Sequence, residues 1–173
     1  MELAEFNALD AATAVETVGV WAAIPAWTDA VASGRPYASV DELVAAAQSA
    51  AARWTRADLD AALAHHPRIG ERAAGVGAEA AASRREQSSM STAADDVTTA
   101  IAEGNAAYEH RFGRVFLIRA AGRSPLEMLA ELRRRLDNDD DAEASEALDQ
   151  LAQIALLRLR TTVTDAAHER TPA

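Results

Sequence analysis

Arg111-Phe112-Gly113-Arg114-Val115-Phe116-Leu117-Ile118-Arg119-Ala120-Ala121 is the stretch on which the fold class turns. Phe112 to Ile118 is short and apolar, as a strand would be. A strand needs a second one to complete its hydrogen-bond ladder, and the chain offers no other stretch of this kind. The segment near 112–120 is therefore expected to be extended and buried between helices. Without it as a strand, nothing stands against an all-α fold.

Outward from that segment the signals are helical. Downstream, Ser124-Pro125-Leu126-Glu127 is a capping box with proline at the first helical position, and a helix is expected to run to Leu136. The aspartates of Asp137–Asp141 suit the start of a last helix ending near Thr162. Upstream, a helix is expected from about Ser91 to His110, and another through Ser83–Gln87. Residues 65–77 form a loop with Gly70, Gly75 and Gly77. His66-Pro67 ends the helix that opens at Thr55-Arg56-Ala57-Asp58, because a residue before proline is pushed out of the helical region. Ser39-Val40-Asp41-Glu42 is a further capping box, followed by an Ala-rich helix to about Ala52. Leu3, Phe6 and Leu9 share a face at the start. The expectation is an all-α, single-domain bundle of about seven to nine helices over residues 1–164, with a polar tail over 165–173.

Composition agrees. Alanine makes up roughly a quarter of the 173 residues, and it is the best helix former. The length suits one domain with a sizeable core. A net charge of −10 argues against nucleic acid and against an anionic membrane surface. No apolar run approaches the length of a membrane span, and the acidic Met1-Glu2-Leu3-Ala4-Glu5 lacks a signal-peptide character, so a cytoplasmic location is expected. There is no cysteine, and all 17 basic residues are arginine. That removes thiolate nucleophiles, Cys-ligated metals, and every lysine imine or covalently held pyridoxal phosphate. Carboxylates, histidine, arginine, hydroxyls and backbone amides are left to do any chemistry.

Three groups of residues qualify. His66 stands before a proline at a helix end beside a Gly-containing loop, a position from which scaffolds present catalytic side chains. A helix C-cap histidine fits the same spacing. No metal spacing surrounds His65-His66, and none is expected. Ser83, Glu86 and Gln87, at i, i+3 and i+4, put a hydroxyl, a carboxylate and an amide on one face. They suit a small polar ligand, or a merely solvated face. Arg158 shares the apolar stripe of Leu151 and Ile154, so its guanidinium needs an anion, internal or from a ligand. Arg133-Arg134-Arg135 is expected to serve the helix dipole and solubility. His110 and His168 are expected to be structural or exposed. Phe112 and Phe116 suit the core, while backbone amides over Phe116–Ala120 remain open to a ligand.

His66-Pro67-Arg68-Ile69-Gly70, then Ser83-x-x-Glu86-Gln87, then Asn105-x-x-Tyr108-Glu109-x-Arg111-Phe112-Gly113-x-x-Phe116-Leu117-Ile118, resemble the 2-oxo-4-hydroxy-4-carboxy-5-ureidoimidazoline (OHCU) decarboxylases of urate breakdown. Gly122-Arg123-Ser124, Leu129, Arg135-Leu136 and Ile154-Ala155-x-x-Arg158-Leu159 continue the likeness in the same order, over roughly residues 5–160. The resemblance implies an all-α, cofactor-free homodimer that acts on a small molecule and makes (S)-allantoin. It makes His66 the catalytic histidine, paired with Glu86 as acid and base. It puts substrate binding on Pro67, Ser83, Gln87, the segment Phe116, Leu117, Ile118, Arg119 and Ala120, and Arg158. Ser88-Ser89 departs from the family's usual Ala-Gly after Glu-Gln, which bears on the loop that follows. Beside this stand a hydrolase or lyase of another ureido compound on the same scaffold, and a non-catalytic helical binding module.

Overall fold

Side-chain caps start several of the helices. Ser124 Oγ accepts from Glu127 N, and Glu127 reaches back to Ser124 N at 2.7 Å, closing a reciprocal box with Pro125 at N1. Thr55 and Asp58 close a second box in the same way. At Ser39 the box is offset. Ser39 Oγ accepts from Glu42 N at 3.1 Å, but the Glu42 carboxylate takes the N–H of Ala38, one residue earlier.

The structure, a computed structural model, describes residues 1–64, 67–71 and 77–165. Among them run α1 (Leu3–Ala8), α2 (Ala11–Trp21), α3 (Pro25–Ser33), α4 (Val40–Ala51), α5 (Arg56–Leu63), α6 (Ala78–Glu86), α7 (Asp95–Phe112), α8 (Pro125–Arg135) and α9 (Asp140–Thr162). A 3-10 turn, Ser88–Thr92, lies between α6 and α7. No strand occurs among the described residues, so the fold is all-α, and no helix there is long and apolar enough to cross a membrane.

The chain divides into two units. The first comprises Met1–Arg53 and the chain from Ala155 onward. Here α2 packs on α3 and α3 on α4, and Phe6, Trp21, Trp27, Val31, Leu43 and Leu159 are buried. Trp27 Nε1 donates to Ala47 O at 2.9 Å, so this buried indole is satisfied by α4. Arg35 fastens the end of α1 by donating to Phe6 O and Leu9 O, at 2.9 and 2.7 Å. Asp165, expected to begin the tail, instead accepts from Val40 N at 2.9 Å. It satisfies one of the orphan amides at the start of α4.

The second unit is Trp54–Ile154. Its core gathers Ile101, Tyr108 and Phe112 of α7, Met128, Leu129 and Leu132 of α8, and Ile69, Phe116, Ile118 and Ala120 from outside the helices. The two helices meet at Gly104, where a Cβ would lie 2.6 Å from Leu132 Cδ2. The expected start of α7 near Ser91 is four residues early, because the chain first makes the 3-10 turn. Its end is also later than expected. Phe112 belongs to the helix, and Gly113 closes it at φ +68°, the left-handed conformation glycine takes at no steric cost. Nothing lies within 4 Å of the Cβ that Gly113→Ala would add, so only the backbone pays. That variant is expected to lose about 1–2 kcal/mol of unfolding free energy in urea, and Gly113→Asn less. An unchanged urea midpoint for the alanine variant would count against this account.

Beyond Gly113 the chain runs without helical or sheet hydrogen bonding to Ala120, then turns at Gly122 into α8. Burial alternates along it: Arg114, Phe116, Ile118 and Ala120 are buried, while Gly113, Val115 and Arg119 are not; Leu117 is the exception. The buried extended segment is thus present, shorter at its start than expected by the residues that α7 absorbs.

Candidate active site

Three side chains fix the described stretch Pro67–Glu71. Asn105 Nδ2, from the buried face of α7, donates to Ile69 O at 3.0 Å. Gln87 Oε1 accepts from Gly70 N at 3.1 Å. Arg68 Nη2 donates to Glu109 Oε2 at 2.8 Å, and Arg68 also pairs with Glu71. The guanidinium of Arg68 holds the Glu109 carboxyl below the usual carboxylate range, against a smaller opposing effect of burial. Ile69 sinks into the same apolar cluster as Phe116, Ile118 and Ala120. Along its outer side, Arg68, Gly70, Thr98, Asn105 and Glu109 line a cleft of about 300 Å³.

His66 and His65 lie outside the described residues, as do residues 72–76 and His168. Pro67, next to His66, is half-buried. Ser83 is buried in α6; Glu86 is its last residue and Gln87 its C-cap, both half-buried. The expected solvated face is therefore a partly sheltered one. Gln87 and the loop are brought together directly. Because its Oε1 is taken by Gly70, Gln87 presents the donor end of its amide, Nε2, to anything else. Ser88-Ser89 begins the 3-10 turn, with Ser91 Oγ donating to Ser88 O at 2.8 Å.

The segment 116–120 is held from α8 and α9. Arg135 Nη1 donates to Leu117 O at 2.7 Å, and its guanidinium lies 4.7 Å from the centre of the Phe116 ring. Gln150 Oε1 accepts from Arg119 N at 2.9 Å. The N–H of Arg119 is therefore engaged within the protein. Phe116 is a core residue, ringed by Tyr108 at 5.2 Å.

Arg135 corrects one expectation. Arg133 and Arg134 are exposed, and Arg134 pairs with Glu131 and Glu146, as suits the end of a helix. Arg135 is only 1% exposed and forms an ion pair with Glu143, itself fully buried. Tyr108 Oη donates to the same carboxylate, and Asn138 Nδ2 donates to it at 2.8 Å. Burial, and then the neighbouring Glu143, push the Tyr108 hydroxyl well above a tyrosine's ordinary value. Spacing alone points to none of Asn105, Arg68, Glu109, Glu143 and Gln150, and it assigns Arg135 to the surface. A signal existed for Arg135: Met128, Leu132 and Arg135 stand at i, i+4 and i+7 on one stripe of α8.

Arg158 belongs to the first unit. It is buried, as its stripe requires, and Nη1 donates to Val20 O at 3.3 Å. His110 is exposed.

The all-α scaffold carries a carboxylate and an amide, Glu86 and Gln87, at one helix end, beside a stretch of chain held through Ile69 O and Gly70 N. Residues 7–160 match the family model for OHCU decarboxylase, and the chain belongs to that family, whose reaction is a decarboxylation in urate degradation. It is 31% identical over 161 residues to the 2-oxo-4-hydroxy-4-carboxy-5-ureidoimidazoline decarboxylase of Haloferax volcanii, covering 92% of this chain and 94% of that protein. It is 31% identical over 166 residues to the enzyme of the same name from Amia calva, covering 94% and 95%. Among solved structures it is similar to an OHCU decarboxylase crystallised in the presence of (S)-allantoin, with a TM-score of 0.69, 25% identity, and coverage of 82% and 93%. A crystal structure of (S)-allantoin synthase shares the fold at a TM-score of 0.69 and 16% identity, over 94% of this chain and 54% of that one.

Proposed function

We propose that this protein is a carboxy-lyase that converts OHCU to (S)-allantoin, with His66 and Glu86 as its acid–base pair. The observation that carries the proposal is the family match over residues 7–160, which includes both. Decarboxylation leaves an electron pair that needs a sink. In OHCU the carboxylate sits one carbon from a ring C=N, so the ring takes the pair as the carbon–carboxylate bond breaks and carbon dioxide leaves. The ring nitrogen that receives the pair takes a proton from solvent, the 4-hydroxyl gives up its proton to become the carbonyl, and C5 gains one. The protein must hold the bond in line, stabilise charge and move a proton on one face.

Each part has an assigned group. Gln87 Nε2 donates to a ring oxygen, since its Oε1 is on Gly70. Ser83 and Pro67 border the ring. Glu86 and His66 exchange the protons. Amides of the 116–120 segment hold an oxygen of the substrate, and that role falls away from Arg119 N, which Gln150 occupies. Arg158 is assigned substrate orientation on the family likeness alone. A homodimer and a cytoplasmic setting go with the same likeness.

The test uses urate freshly oxidised and hydrolysed to OHCU. Added protein is expected to speed OHCU loss well above the spontaneous rate, and circular dichroism is expected to show enriched (S)-allantoin. Decay at the background rate with racemic product would overturn the proposal. Faster decay without chirality would favour another lyase or hydrolase on this scaffold.

A further inference from the structure

We infer that Gln150 is a positioning residue: with Arg135, it sets the register of the segment 116–120 so that the amides of Ile118 and Ala120 face the substrate. The inference rests on the decarboxylase reading above. In an extended chain, the main-chain groups of successive residues point to opposite sides. One side is accounted for by residues 117 and 119. Leu117 O accepts from Arg135 Nη1 on α8, and Arg119 N donates to Gln150 Oε1 on α9. Side chains keep the same two-residue period, with Phe116, Ile118 and Ala120 in the apolar cluster.

The main-chain groups of Ile118 and Ala120 therefore point to the other edge. Among the described residues no acceptor meets the N–H of either one. Both residues are buried, at 3% and 4% exposure. Two buried donors on one edge are costly unless an acceptor arrives, and a carbonyl or carboxylate oxygen is such an acceptor. A slip of one residue would turn those donors away and bring the wrong pair round. Gln150 opposes the slip because its acceptor oxygen fits the N–H of Arg119 and not that of a neighbour. It is itself buried, at 8% exposure, and sits two turns beyond Glu143 on α9. Its acceptor oxygen is engaged by the segment, and it acts on the reaction through that bond.

The experiment compares Gln150→Met and Gln150→Glu with the wild type in the full-length chain, reading KM and kcat for OHCU and the thermal midpoint. Methionine keeps the length and packing but removes the acceptor. Gln150→Met is expected to raise KM about tenfold with kcat within about twofold and a midpoint near the wild type. Glutamate still accepts from Arg119 N, so Gln150→Glu is expected to restore most of the affinity. Should Gln150→Met not fold, Gln150→Leu carries the same comparison. A wild-type KM in the methionine variant, or equal impairment by methionine and glutamate, overturns the positioning role while leaving the decarboxylase reading in place. A wild type that does not turn over OHCU overturns that reading, and this inference with it.

Discussion

His66→Asn and Glu86→Ala are each expected to slow enzymatic release of carbon dioxide from OHCU at least about a hundredfold, with far-UV helicity unchanged. Positioned general acid–base groups contribute about 10²–10⁴-fold. The lower end of that range corresponds to about 2.7 kcal/mol of lost transition-state stabilisation. The loss is expected in kcat, because a proton in transit is a feature of the transition state more than of bound substrate. Helicity is expected to survive in both. Glu86 is the last residue of α6, whose buried residues are Ala82 and Ser83, so its replacement leaves the packed face of that helix intact. The stretch Pro67–Glu71 is held by Gln87, Asn105 and Glu109. Since OHCU also decays unaided, the residual rate is to be read after subtracting the background, together with product chirality. Both variants are expected to give allantoin drifting towards the racemate. Near-wild-type turnover in either one would sink its assignment, and a rise in KM at constant kcat would recast that residue as a binding group.

The helices were legible because each carries its own instructions. Thr55 with Asp58, and Ser124 with Glu127, are local boxes three residues apart, and both close as written. The irregular segment was legible by exclusion, since an apolar run without a strand partner must hide among helices. What spacing did not disclose are bonds between distant parts of the chain. Asn105 to Ile69 spans 36 residues and Arg68 to Glu109 spans 41. No periodicity encodes them. α7 ends at Phe112, two residues beyond the expected His110, because Gly113 and not the change of pattern at Arg111 supplies the stop. Arg135 is the instructive miss. Three adjacent arginines at a helix end look like one solvated patch, yet a helix turns about 100° per residue, so they point three ways. The stripe test that placed Arg158 in a buried position applies equally to Arg135 with Met128 and Leu132, and it gives the right answer there too.

Breaking the pair that Arg135 forms is expected to have the largest effect on stability. Glu143 accepts from Arg135 Nε at 2.9 Å, from Arg135 Nη2, from Tyr108 Oη and from Asn138 Nδ2, so its lone pairs are well used. Neither partner meets water, at 1% and 0% exposure. Glu143→Leu takes the close anion from a buried guanidinium and leaves it the Glu146 carboxylate at 3.9 Å, and losses of a buried partner run to about 3–5 kcal/mol. That is a large part of the roughly 5–15 kcal/mol that holds a typical domain together. Urea unfolding is expected to show a deficit of that size for Glu143→Leu and for Arg135→Met. The double variant is expected to recover much of it, because two apolar groups of similar volume carry no stranded charge. Recovery should stay partial while the Tyr108 hydroxyl has lost its acceptor, and adding Tyr108→Phe should carry it further. Single variants costing under about 1 kcal/mol, or a double variant as costly as the two singles added, would refute this account. The repaired protein would also separate two roles of Arg135. With Leu117 O no longer held from α8, the folded triple variant is expected to bind OHCU more weakly than the wild type at nearly equal stability. In that case the ion pair is maintained for the placement of the 116–120 segment as well as for the core around it.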